Sequence, residues 1–302
     1  MGPVNQLGSA CIMFIIIGLI VVFVCVFGSF ILAGGKLDII LHAAPHELMA
    51  VGGGALGAFI VGNSTSVLKK AGKGVKRAFK GEKWKKDDYK DLLCLLFLLI
   101  KTVRTKGIVA IEAHIEHPED SKIFQQFPRL MEDHHLVEFI CDYLRMMTMN
   151  FEDPHQVEDA MDKDLEKHHE EEHQAQHALQ IMADGLPAIG IVAAVLGVVK
   201  TMGSIDQPTE VLGAMIGGAL VGTFLGVLLS YCIVGPIAQR LGQVLESESK
   251  LLNLAKIVIV AHLQGLAPQV AVEIGRRNTP SEMAPSFNDL EEALGELPNN
   301  LA

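Results

Sequence analysis

None of the five cysteines in this sequence has a partner at a readable spacing: Cys11, Cys25 and Cys232 lie in apolar runs, Cys94 and Cys141 in charged helical sequence. That excludes a disulfide framework and a zinc pattern, and leaves buried free thiols as the expectation. Excess positive charge is also missing, since the formal net charge is −10. Phosphate contact needs clustered Lys and Arg, so no nucleic-acid partner is expected. The third absence concerns the apolar runs, which we place at residues 11–33, 48–68, 185–199 and 211–239. Their interiors hold no Asp, Glu, His, Lys or Arg. A protein that carries protons unaided usually keeps an ionisable group in its spans despite the cost. No internal repeat is visible.

Half of the residues are hydrophobic and the mean hydropathy is positive, yet 20% are charged. Both hold only if the charges are segregated from the apolar stretches, because a soluble core would mix them at helical or strand period. Run 11–33 is long enough to cross a hydrocarbon core of roughly 30 Å as a helix. A secretory signal peptide is the competing reading, but the run is too long for one and lacks a basic leader. Run 48–68 is rich in glycine, which lets helices approach closely in lipid. Run 185–199 is short and needs Lys200 to snorkel and the next few residues to complete a span. Run 211–239 is long and uncharged.

Basic residues stay on the cytoplasmic side. Lys69, Lys70, Lys73, Lys76, Arg77, Lys80, Lys83, Lys85 and Lys86 follow the second run, and Arg240, Lys250 and Lys256 follow the fourth. Both termini are then cytoplasmic, and the turns with Lys36 and Lys200 face outward. The expected fold is an all-α integral membrane protein with four transmembrane helices. Residues 1–68 carry the first two spans, 69–183 a helical cytoplasmic insertion, 184–239 the other two spans, and 240–302 a cytoplasmic helix with a mobile tail from Asn278 onward. Stretch 92–100 is too short to span and reads as core of the insertion. Pro118, Pro128 and Pro154 punctuate its helices.

The interior polar residues of the runs are few, namely Ser29, Asn63, Thr223, Ser230 and Tyr231, with Pro187 opening the third and Pro236 near the end of the fourth. A proline in a helix's first turn is ordinary, and a lone threonine usually bonds back to its own backbone. In the orientation above, however, Pro187 and Pro236 mark the cytoplasmic ends of two neighbouring spans. Thr223, thirteen residues before Pro236, lies about 20 Å up the helix, near mid-membrane. If ions pass, the titrating carboxylate must come from another polypeptide.

The stretch 183–199, ADGLPAIGIVAAVLGVV, resembles the third span of the A subunit of the flagellar motor stator, the MotA family within the MotA/TolQ/ExbB proton channels. VGTFLG at 221–226, followed by Pro236, is similar to its fourth span, and GGGALGAFIVGN at 52–63 to its second. The tail carries Ala267-Pro268, Ala271-Val272-Glu273, Gly275-Arg276-Arg277 and Pro285-Ser286-Phe287 in family order. The likeness covers nearly the whole chain. It implies a ring, expected to be a pentamer, around single-span B subunits that bring a membrane aspartate and a peptidoglycan anchor. The ring sits in the inner membrane and pushes on the rotor switch complex from the cytoplasm.

By the same resemblance, Pro187 and Pro236 match the prolines that couple ion flow to conformational change. Thr223 matches the threonine facing the B-subunit helix, and Ala194 stands where sodium-driven relatives have threonine. Alanine has no oxygen to help strip a hydrated sodium ion, which favours protons. No cofactor is implied, the ion being cargo. Arg104 and Glu112 match the charges that face the rotor, Lys106 can share that role, and eight residues of helix would separate the pair by about 12 Å. About ten residues precede the first span, more than is usual in the family.

Three other readings compete. His169-Glu170-Glu171-Glu172-His173 fits the zinc-protease pattern H-E-x-x-H, with His177 one turn on. The run 158–177 is so charged that such a match arises easily, and a solvated helix with histidines that titrate near neutrality is expected instead. A TolQ/ExbB-type subunit energising outer-membrane transport would usually have three spans. A self-sufficient ion channel is disfavoured by the missing intramembrane charge.

Overall fold

The computed structural model describes residues 4–149 and 151–298. Among them every regular element is helical: α1 (Val4–Leu32), α2 (Leu37–Gly62), α3 (Thr65–Lys80), α4 (Lys86–Lys106), α5 (Glu112–Glu116), α6 (Pro128–Met131), α7 (His134–Thr148), α8 (Pro154–Met202), α9 (Thr209–Leu229), α10 (Gly235–Leu263), α11 (Pro268–Asn278) and α12 (Phe287–Glu296). Four stretches are long and apolar enough to cross a membrane: Ile12–Leu32, Leu37–Gly62, Pro154–Met202 and Thr209–Leu263. The chain divides into two compact units, Met1–Gly81 with Glu171–Leu245, and Glu82–Glu170 with Glu246–Ala302.

The first unit holds the apolar helices. Its buried side chains are mostly small: Val51, Ala55, Leu186 and Ala193 form one cluster, and Ala71, Ala78, Ala175 and Leu179 pack with Ala238, Leu241 and Leu245 in another. Large apolar side chains such as Phe14, Val24, Leu56, Val195 and Leu220 point outward. That is the arrangement of helices in an apolar solvent, where close packing replaces the hydrophobic effect. α3 turns its small residues inward and its cations outward. Its Arg77 donates to Glu172 at 2.5 Å, and Lys70 donates to the Glu171 carbonyl at 3.0 Å.

The second span differs from its sequence reading. It runs from Leu37 to Gly62 rather than over 48–68, with Pro45 inside the helix. Asn63 is extended, and the Ser64 hydroxyl accepts from the Val67 N–H at 3.4 Å to start α3 as a separate helix. The hydropathy pattern stops short because Pro45, His46 and Glu47 read as a polar turn. In the helix Asp38, His42 and His46 recur every fourth residue and fall on one face, so the apolar residues between them keep the others. The expectation that the spans hold no ionisable group is therefore overturned: Asp38, His42, His46 and Glu47 all lie in α2.

In the fourth apolar stretch, α9 passes into α10 through a π-helical turn, Ser230–Val234. Pro236 is the cause. Proline has no N–H to donate, and its ring crowds the carbonyl four residues back. The wider turn resolves this, with the Gly235 N–H donating five residues back to the Ser230 carbonyl.

The second unit is built around α4, in which every residue from Leu92 to Ile100 is buried. A helix that is apolar all round belongs at the centre of a core, as its sequence implies. Residues of α7 and α10 close over it, among them Leu136, Ile140, Leu144, Leu254, Val258 and Ile259. Asp88 anchors the start of α4. Its carboxylate is almost fully buried, accepts from the Lys85 N–H at 2.8 Å, and takes Arg129 in a two-pronged pair at 2.6 and 2.9 Å. Burial also pushes the Cys94 and Cys141 thiols up to about 12, as inert core cysteines require. Cys25, by contrast, is exposed, and the Cys11 side chain lies outside the described residues.

The expected mobile tail is not what the structure has over 278–298. Ser286 and Asp289 cap α12 reciprocally, and Leu290 is buried. Polar composition hid a capping box followed by a single apolar anchor. Residues 299–302 lie outside the described residues. Removing the buried carboxylate should expose how much the second unit depends on it. Asp88→Asn is expected to cost roughly 2 kcal/mol, the range for losing charge-assisted hydrogen bonds, because the Arg129 left behind is partly open to solvent. A thermal melt of the purified protein should show the unit unfolding earlier.

Candidate functional site

The third and fourth spans touch backbone to backbone. A side chain at Gly190 would come within 2.8 Å of the Gly222 carbonyl and 3.1 Å of the Gly226 Cα. One at Gly226 would come within 2.7 Å of the Leu186 carbonyl. Further along, a side chain at Gly197 would meet Ala219 at 2.5 Å. Small residues make this approach possible, and dispersion and carbonyl contacts hold it.

Three of the four expected ion-path residues gather here. Pro187 follows Leu186, whose carbonyl faces Gly226, and its missing N–H leaves that part of α8 one hydrogen bond short. Ala194 is half-buried on the turn between Gly190 and Gly197. Thr223 is half-buried with its Cα against Gly190. Pro236 is elsewhere. It is exposed and lines a cleft of about 290 Å³ with Phe14, Gly18, Tyr231 and Arg240. The two prolines are thus not level, since about 15 Å of helix separates Gly226 from Pro236.

Sequence reasoning missed Glu47. The carboxylate of this residue lies against Gly222, so closely that any side chain there would collide with Oε2. Oε2 is buried and has no hydrogen-bond partner among the described residues. Beside it a cleft of about 380 Å³ opens between α2, α8 and α9, lined by Asp38, His42, His46, Lys200 and Gly218 among others. The four-residue spacing of Asp38, His42 and His46 was the available signal, obscured by Pro45.

The charges expected to face a rotor lie in the second unit. Arg104, Lys106 and Glu112 are all exposed. They do not share a helix. Gly107, at φ 87°, ends α4, a 3-10 turn follows over Ile108–Ile111, and Glu112 opens α5. The spacing of about 12 Å expected for one continuous helix therefore does not apply. Arg104 donates to the Leu266 carbonyl at 3.1 Å, which steadies its stem. His262 is affected by the same guanidinium: burial first, and then the Arg104 charge, hold its imidazole below the usual histidine range.

The chain is 40% identical over 287 residues to the motility protein A of Salmonella typhimurium, spanning 95% of this chain and 97% of that one. It belongs to the motility protein A family. The protein of that name from Escherichia coli is 39% identical over the same length, and the chemotaxis protein LafT of Vibrio parahaemolyticus 35% over 280 residues. The family models for the motility protein A N-terminal region and for the MotA/TolQ/ExbB proton channel family match residues 16–107 and 131–253.

Two solved structures share the fold. The C. jejuni MotAB structure aligns with a TM-score of 0.71 at 19% identity, covering 91% of this chain and 99% of that one. The flagellar MotAB stator complex from Bacillus subtilis aligns at 0.66 and 22%, covering 92% and 98%. The family is one of channel subunits rather than enzymes, so His169 and His173 are read as one face of α8 and not as a protease motif.

The helix crossing makes a sharp prediction. Gly226→Ala puts a methyl where the Leu186 carbonyl already stands, and overpacking of this kind costs about 1–3 kcal/mol. Gly213→Ala, in the same helix, meets nothing within 4 Å. In detergent the first variant should melt earlier than the parent and the second should not.

Proposed function

We propose that this chain is the A subunit of a flagellar motor stator, which joins a B subunit in a proton-conducting unit and turns ion flow across the inner membrane into torque. The observation that carries the reading is the glycine-lined crossing of α8 and α9, which gathers Pro187, Ala194 and Thr223 in a chain matched along almost its whole length by motility protein A. Both termini are cytoplasmic in this reading, because the basic residues of α3 and the start of α10 flank the cytoplasmic ends of their spans. Five copies surround the single-span partner, whose helix passes Thr223 and brings a membrane carboxylate. With Glu47 in the second span, the partner's carboxylate no longer follows from an absence in this chain. It rests on the resemblance to the MotA family, whose solved structures are MotAB complexes.

The chemistry of coupling follows from the two prolines. Each interrupts a helix's hydrogen-bond ladder, Pro187 within α8 and Pro236 beside the π-helical turn. Such points bend more easily than an intact ladder. Protonation of a partner's carboxylate against Thr223 is transmitted as a tilt of α8 and of the α9–α10 stretch, both of which continue beyond their apolar segments. Arg104, Lys106 and Glu112 then meet complementary charges on the rotor. Exposed charges favour rapid, oriented encounter over tight binding, which suits a contact that forms and breaks at every step. Ala194 supplies no oxygen ligand for sodium, so the transported ion is the proton.

Charge reversal at Arg104 or Glu112 should impair swimming while leaving membrane assembly intact, and normal motility would remove both from the rotor interface. Swimming driven by this chain and its partner should collapse with a protonophore and ignore external sodium. The opposite pattern would identify a sodium motor.

A further inference from the structure

The cleft beside Glu47 has a depth, a polarity and a direction. Asp38 stands at the first turn of α2, and Glu47 is nine residues further in, about 13 Å along the helix. That is close to half the thickness of a hydrocarbon core of roughly 30 Å. Lys200 ends α8, and Ala214 and Met215 belong to the first turns of α9. The mouth thus opens at the end where α1 turns into α2 and α8 into α9, the outer end in the orientation proposed above.

The charged and titratable groups facing this space are Asp38, His42 and His46 on α2 and Lys200 on α8, while α9 lines it only with small and apolar residues. A carboxylate oxygen buried without a partner is expensive, and an ionisable residue in a span is kept for use rather than for packing. Gly222 bears this out geometrically, since the space the carboxylate occupies is the space its side chain would fill. The next residue is Thr223, at the crossing with Gly190.

We propose that Glu47 is a proton-carrying residue of this chain's own, loaded from the outer water through the cleft lined by Asp38, His42 and His46. The inference rests on the stator reading and deepens it. A hydronium ion in the cleft gives its proton to the Glu47 carboxylate, leaving a water molecule and a neutral carboxylic acid. The acid then gives that proton to an acceptor deeper along the path, the partner's membrane carboxylate, and recovers its negative charge. Only O–H bonds form and break, and the net change is one proton moved inward. The imidazoles of His42 and His46 and the carboxylate of Asp38 give the incoming proton polar stopping points between the mouth and Glu47. Lys200 opposes cation entry on the α8 side, so the route follows α2.

The test uses the complete complex of this chain with its B subunit, in vesicles holding a pH-sensitive dye, with the amount of assembled complex measured in the same preparation. Glu47→Gln keeps the shape and removes the proton-binding charge. It is expected to lower inward proton flux about tenfold, equivalent to a barrier about 1.4 kcal/mol higher, and to flatten its dependence on external pH. Glu47→Asp restores a carboxylate one methylene shorter and should recover most of the flux with a shifted pH dependence. Assembled Glu47→Gln complex with parental flux and parental pH dependence would overturn the role of Glu47 and leave the stator reading standing. If that variant fails to assemble, Glu47→Asp decides: a shifted pH dependence supports the inference and an unaltered one overturns it. A parental complex that passes neither protons nor sodium would overturn the stator reading, and this inference with it.

Discussion

The contact between Gly190 on α8 and the Gly222–Gly226 turn of α9 is the constraint on which the membrane unit depends. Two helices in an apolar solvent gain nothing from hiding apolar side chains, so they must gain from proximity itself. Where a carbonyl of one helix rests on a Cα of the other, there is no room for a methyl group. The same closeness sets the site. It brings Thr223 against α8, holds Pro187 one turn away, and leaves beside Gly222 the gap that Glu47 fills. A single packing rule, small residues at the crossing, thereby serves structure and the proposed ion path together.

The second unit follows a different rule. Its stability comes from burying α4 on every side, with an ion pair between Asp88 and Arg129 fixing where that helix begins. Gly107 fixes where it ends, because its positive φ suits glycine and stops the helix. The two ends of α4 therefore define the surface on which Arg104 and Lys106 stand, and Glu112 belongs to the next helix and not to theirs. The apolar helices of one unit and the helices around α4 in the other use opposite surfaces of the same kind of element. One points its large side chains outward and the other inward, as their solvents demand.

Much of this was legible in the sequence. The four apolar stretches, the buried run 92–100, the prolines at helix starts and the segregation of charge all followed from composition and period. Boundaries were less legible where chemistry is ambiguous. Pro45-His46-Glu47 reads as a turn by composition, yet continues a helix because its ionisable residues fall on one face. The polar tail reads as mobile, yet Ser286 and Asp289 cap α12 and Leu290 is buried. In both cases local polarity outvoted a pattern that becomes favourable only when a neighbouring surface is present.

The sequence by itself determined that this is a helical membrane protein with a large charged soluble part, and which residues resemble an ion path. The first conclusion depends on period, length and hydropathy, which are properties of the chain alone, and the second on the resemblance to the MotA family. Tertiary structure decided that Pro236 is accommodated by a π-helical turn, that Thr223 meets Gly190, and that a carboxylate lies against Gly222. These depend on which backbone approaches which, and distance between helices is not written in either one. The spans were expected to be free of ionisable groups; with the fold in view, the chain carries a carboxylate of its own where two helices leave space for it.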